Sequence, residues 1–227
     1  MYKLYTLILI SVIFILVSCA PDDEVVAVYD ATPYSFTFPE NFGDPELPLD
    51  NVLTIEGVKL GKMLFYEKAL SKDGTQSCAS CHVQGDGFSD KNRFSRGVDG
   101  FLGNRQAMPI FNLAWHKTGF FWDGRAATLR VQSLLPIQDP VEMHETLENV
   151  VSKLSADKNY TDQFVRAFGT SDINSTKLSL ALEQFMMSIV SFDSKYDQFL
   201  AGKLSLTESE ERGRKLFFAE YNPFFPE

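Results

Sequence analysis

The sequence predicts an all-α chain with long irregular loops, on three observations. Apolar residues recur at helical spacing in several separated segments, some with N-terminal cap signals. No series of alternating apolar and polar residues marks a sheet. The remaining stretches are irregular and rich in Gly, Ser and Asp, and one of them surrounds Cys78-Ala79-Ser80-Cys81-His82.

Residues 1–18 read as an export signal rather than as structure. Lys3 supplies the positive n-region, and Leu7 to Val17 is apolar apart from Ser11. Leu16-Val17-Ser18-Cys19 then resembles the bacterial lipoprotein signal, in which the cysteine is lipidated and becomes the new N-terminus. The apolar run is short for a spanning helix. A membrane is therefore expected only through a lipid on Cys19, and the expected location is the periplasm or cell envelope. An ordinary cleaved signal or an uncleaved anchor is the alternative. Residues 19–50 read as an extended tether, acidic at Asp22-Asp23-Glu24. Tyr34, Phe36 and Phe38 alternate between Pro33 and Pro39, which favours a strap lying on the domain over a paired strand.

The first helix is expected after Pro48-Leu49-Asp50-Asn51, with Leu60, Met63, Leu64 and, less neatly, Ala69 on one face. Ser71-Lys72-Asp73-Gly74 marks a turn. Gly85-Asp86-Gly87 and Gly97-Val98-Asp99-Gly100 belong to a long irregular segment of a length usually reserved for function. Asp139-Pro140-Val141-Glu142 predicts a helix start, with Asp at the N-cap, Pro at N1 and Glu at N3. That helix continues through Leu147, Val150, Val151 and Leu154. Tyr160 to Phe168 is a short amphipathic run. Ser175 to Phe192 is the strongest pattern, with Leu178, Leu182, Phe185, Met186 and Ile189 on one face. Thr207-Glu208-Ser209-Glu210 forms a capping box that opens Arg212 to Phe218.

The chemistry is concentrated at Cys78, Cys81 and His82. Two thiols three positions apart sit about one helical turn from each other, and each can form a thioether to one vinyl group of a porphyrin. The histidine that follows can ligate the iron from the proximal side. This is the spacing of c-type haem attachment, and export agrees with it. The chain has three cysteines. Cys19 goes to lipid and the other two to haem, so none remains for a disulfide. Zinc would need four ligands, and only His116 and His144 could supplement the three at the motif. A thioredoxin-like pair would need a βαβ pattern, which is missing. The net charge of -9 and the lack of a basic stripe argue against nucleic acid. The 20 phenylalanines suit dry haem surroundings, or equally an aromatic core.

Several motifs in order then resemble one family. They are Leu60-Gly61-Lys62-Met63-Leu64-Phe65, Leu70-Ser71, Asp73-Gly74-Thr75 and Ser77-Cys78-Ala79-Ser80-Cys81-His82. Beyond them stand Gly87-Phe88-Ser89-Asp90, Phe121-Trp122-Asp123-Gly124-Arg125-Ala126 and Pro136-Ile137-Gln138-Asp139-Pro140-Val141-Glu142-Met143. Over residues 52–220 the chain resembles the bacterial di-haem cytochrome c peroxidases, which include MauG-type proteins. The resemblance implies a cytochrome c-like haem domain over residues 51–200. Residues 201–227 would begin a second such domain with its own haem. It implies reduction of hydrogen peroxide at the first haem, with electrons from a cytochrome c or cupredoxin. Cys78, Cys81 and His82 match the peroxidatic haem, Gln132 and Glu142 the polar distal-pocket residues, and Trp122 the tryptophan between the haems.

Each role has a plainer rival. Peroxide cleavage needs a proton moved between the two oxygens, which Glu142 could do if its pocket raises its pKa. Gln132 could orient the peroxide. From spacing alone Glu142 is a capping residue and Gln132 a helix-surface residue, and the resemblance reverses that preference. Trp122 could be a core residue. Arg125 could hold a haem propionate or pair with Asp123. His116 and His144 read as surface residues.

The chain also departs from the family pattern. Asp99 stands where many members carry a histidine that ligates the resting iron. Gln106 replaces an Asn near the interdomain calcium site, which counts against calcium. No second Cys-x-x-Cys-His follows before Pro226-Glu227. One haem c is therefore expected in this chain and two in a full-length protein, with a natural single-haem protein as the alternative. MauG-like oxidation of a protein substrate and a non-enzymatic electron-transfer cytochrome are the competing functions. A homodimer is left open.

Overall fold

The structure, a computed structural model, describes residues 26–219; the export signal and Cys19 lie outside the described residues. Among these residues the regular elements are all helical. They are α1 (Ile55–Tyr66), α2 (Cys78–Cys81), α3 (Leu129–Gln138), α4 (Leu147–Ser155), α5 (Lys158–Phe168), α6 (Ser175–Ser188), α7 (Lys195–Leu200) and α8 (Glu208–Phe218). Extended pairing is limited to isolated bridges such as Val83 with Ser89. No helix among them is long and apolar enough to cross a membrane.

The packing of α1 against α6 forms the frame. Thr54 caps α1 by accepting from the Gly57 N–H at 3.0 Å, and Asn174 caps α6 through the Lys177 N–H at 3.0 Å. Leu60, Leu64 and Phe65 of α1 meet Leu178, Ala181, Leu182 and Phe185 of α6 in the buried core. Burying each leucine contributes about 1.5–3 kcal/mol. Gly61 allows the close approach: a Cβ there would stand 1.9 Å from the Ala181 carbonyl oxygen. The amphipathic helices α4 and α5 cover this pair, and Val150, Leu154, Tyr160 and Phe164 point inward.

A buried charge joins α6 to α3. Glu183 is 1% exposed and accepts from Arg130 at 3.0 Å and from the Asn51 amide at 2.8 Å. Arg130 continues to Asp50 at 2.7 Å. Such a pair contributes little net stability but is costly to break, so it fixes where α3 lies.

The expected strap is present. The Tyr34 N–H donates to Leu53 O at 2.9 Å. Phe36, Phe38 and Phe42 pack edge-on against Trp115, with ring centroids 6.3, 5.2 and 5.3 Å away. The capping box of α8 is also present, through Thr207 and Glu210.

Three expectations are corrected, and one helix goes unmarked in the sequence. Ala69 lies beyond α1, which ends at Tyr66 where Glu67 opens a 3-10 turn over Lys68–Leu70. The last long pattern stops at Ser188, not Phe192, because Asn112 clasps Ser191 with both side-chain atoms at 2.8 Å. The helix α3 is not marked by the periodicity reading, since Pro136 interrupts it. Most consequential, Asp139 does not start a helix. It is the C-cap of α3, and its carboxylate accepts from the Val141 N–H at 2.9 Å in a tight turn. The next helix, α4, begins five residues after Glu142 and is capped by Thr146. Glu142 therefore has no capping role.

Candidate haem site

The attachment motif is a single helical turn. Ser80 accepts from the Ser77 N–H at 3.0 Å, and the His82 N–H closes the turn on Cys78 O at 3.0 Å. This places both thiols on the same short element. The chain then folds sharply: Val83 bridges Ser89, and Phe88 takes a positive φ of 54°. That fold brings the Phe88 carbonyl to 3.0 Å from His82 Nδ1. A carbonyl only accepts, so Nδ1 carries the proton and Nε2 keeps its lone pair. This is the tautomer an iron ligand requires, with the backbone bond as its orienting partner. The ring lies 6.5 Å from buried Phe65 of α1, and burial lowers the imidazole's pKa.

A cavity of about 460 Å³ opens beside this motif, lined by Cys81, His82, Gln132, Glu142, Trp122 and Arg125 among others. A smaller void of about 60 Å³ continues to Cys78, Phe65 and Met186 and shares Cys81, His82, Gln132 and Glu142. The larger volume falls within the usual range for cofactor pockets. Burial pushes the Cys78 thiol up to about 12 and raises Cys81. Two thiols, a histidine oriented through Nδ1 and an aromatic-walled cavity fit a covalently held porphyrin. Among the described residues no group of three or more His, Cys, Asp or Glu side chains is placed to hold a bare metal ion.

The structure brings together most of the residues named from the sequence. Gln132 of α3 and Glu142 of the following turn line both cavities. Burial raises the Glu142 pKa, Asp139 adds to the rise, and Arg125 opposes it. Trp122 is not a core residue: it is 60% exposed, lines the cavity and donates from its indole to Gln106 O at 3.0 Å. Arg125 does two things. It pairs with Asp123 at 3.0 Å, and its guanidinium lies 3.6 Å from the Phe121 ring centroid. Arg105 holds the other oxygen of Asp123 at 2.8 Å, and these hydrogen bonds lower Asp123 to about 2.

Asp99 does not line the cavity; it pairs with Lys72 at 2.9 Å and with His144. His116 is exposed, as expected, and bonds Gly119 O at 2.6 Å. Gln106 donates its amide to Asp90 O at 2.9 Å. Arg105, Met108 and Phe121 also line the cavity. The sequence reading misses them because an irregular loop has no periodicity to flag an inward face.

Fold and motif together define an all-α protein built around haem c. The family model for di-haem cytochrome c peroxidase matches residues 55–205, and the chain belongs to that family. It is 34% identical over 192 residues to the methylamine utilization protein MauG of Methylophilus methylotrophus, covering 82% of this chain and 57% of that protein. It is 34% identical over 187 residues to the cytochrome c peroxidase Ccp of Escherichia coli K12, covering 80% and 39%. A solved MauG-like protein associated with microbial copper homeostasis superposes with a TM-score of 0.75 at 35% identity, over 82% of this chain and 55% of that one. The chain thus spans about half the length of these relatives.

Proposed function

We propose that this site reduces hydrogen peroxide to water, with electrons from a small carrier such as a cytochrome c or a cupredoxin. The observation that carries the proposal is Glu142. It lines the same cavity as His82 and Cys81. Burial raises its pKa, which suits a group that must take up a proton and release it.

Haem c, when attached through Cys78 and Cys81 with His82 as ligand, supplies the redox-active iron. The protein groups supply the rest. Glu142 takes a proton from one peroxide oxygen and returns it to the other as the O–O bond breaks. Two electrons and two further protons complete two waters. Gln132 offers an amide N–H and a carbonyl to orient the peroxide. Arg125 and Arg105 line the cavity and would hold a haem propionate there. Trp122, exposed and lining the same cavity, would serve as an aromatic bridge for electrons. A pure electron carrier usually closes both axial positions of its haem. Here Asp99, His116 and His144 are all held by other partners and lie outside the cavity lining, in which Met108 is the side chain that could compete for that position.

The 227 residues contain one Cys-x-x-Cys-His, so one covalent haem is proposed for them, with α8 opening a second cytochrome c-like domain. Lipidation at Cys19 would place the protein on the periplasmic side of the envelope. Absorption and EPR spectra of the ferric, haem-loaded protein test the open site. A high-spin or water-bound signal is expected, and a purely low-spin, six-coordinate spectrum would refute it.

A further inference from the structure

The turn that carries Glu142 is held from two sides. On one side its backbone folds onto the end of α3: Met143 N–H reaches Pro136 O at 3.2 Å, and Glu145 N–H reaches Ile137 O at 2.8 Å. On the other side two remote segments grip it. The Val98 N–H donates to Glu142 O at 2.9 Å, and the Lys72 N–H donates to Met143 O at 3.0 Å. Gly97 fits against the same turn, where a Cβ would stand 2.2 Å from Val141 O.

The side chains of these three segments converge on one carboxylate. Asp99 follows Val98 and accepts from the Lys72 ammonium at 2.9 and 3.0 Å. It also accepts from His144 Nδ1. His144 has a positive φ of 48°, a conformation that is strained for a non-glycine residue and persists only when its surroundings hold it. Exposed ion pairs add little stability. What this pair of contacts can do is select one arrangement of three loops that regular structure does not fix.

We infer that Asp99 is a positioning residue: through Lys72 and His144 it clamps the 97–100 loop onto the Glu142 turn and so sets where Glu142 enters the cavity. The inference rests on the reading of Glu142 as the acid–base group. Misplacing such a group by about 1 Å can cost on the order of 100-fold in rate, far more than the pairs add in stability.

The test is Asp99→Asn in the haem-loaded protein, with three readouts. Amide hydrogen exchange at Val98 and Lys72 should speed up at least tenfold, while Leu182 in α6 keeps its protection. The bimolecular rate of reaction with peroxide should fall about tenfold at unchanged haem content. In a double-mutant cycle, Asp99→Asn should add nothing to Glu142→Gln, because both act on the same step. Unchanged exchange at Val98, an equal loss of protection at Leu182, or additive rate losses would each overturn the clamp. If Glu142→Gln alone leaves the peroxide rate intact, the proposed function falls, and the exchange data then judge the clamp by itself.

Discussion

The helical frame and the cavity loops obey different rules. In the frame, α1 and α6 are specified by apolar spacing, side-chain caps and the close approach at Gly61. The wall of the cavity is made largely by residues 81–125, where α-helix is nearly absent after Cys81. There the chain is held by isolated bonds such as His82 to Phe88 O and Trp122 to Gln106 O. All four non-glycine residues of positive φ among the described residues, Phe88, Asn112, Phe121 and His144, lie in loops or turns. Phe88 orients the haem ligand and Phe121 lies under Arg125. Strained backbone placed around a site is a common cost of function, and here the frame absorbs it.

That contrast makes predictions. The largest effect belongs to the attachment turn. Replacing Cys78 and Cys81 together with Ser should abolish covalent haem, seen as loss of haem stain on a denaturing gel. Wild type should hold one haem per chain by pyridine haemochrome. In the frame, Gly61→Ala forces a Cβ into the Ala181 carbonyl. It should cost about 3 kcal/mol, the upper end for overpacking, measured as a lower denaturation midpoint. Haem bound per folded chain should stay the same.

A smaller effect separates stability from function at Glu142. Its folded pKa is raised above the usual 4.5 by burial, so its ionisation is disfavoured in the folded state. The associated stability is present at low pH and lost as pH rises through the folded value. Glu142→Gln should therefore raise the Tm at pH 7 and leave it unchanged near pH 4. Smallest of all, Trp122→Phe should change stability by less than about 0.5 kcal/mol, because the exposed ring supports no core.

Legibility in the sequence follows the same divide. The start of α6 at Ser175 and the capping box at Thr207 are local signals, and both are found where the sequence places them, although α6 ends four residues early. Asp139 shows the limit. An aspartate before a proline suits an N-cap and an Asx turn equally well. What decides between them is the end of α3, whose carbonyls capture the Met143 and Glu145 N–H groups. Pro136 hides α3 itself. The Glu183–Arg130 pair and the Asp99 cluster join residues 53 and 27 to 45 positions apart, a separation no local pattern reports. Resemblance to the family supplied Gln132 and Glu142, which their own neighbourhoods would have assigned to a surface and a cap.

The most direct measurement is the pH dependence of the stopped-flow reaction between the ferric, haem-loaded protein and hydrogen peroxide. Glu142 must be ionised to take the first proton. The rate should therefore rise with pH through a midpoint above the usual 4.5 for a glutamate. Glu142→Gln should remove that rise and slow the plateau by about 10²–10⁴-fold, the usual worth of a positioned acid–base group, with haem content unchanged. A Glu142→Gln protein that reacts at the wild-type rate with the same pH profile would contradict the account.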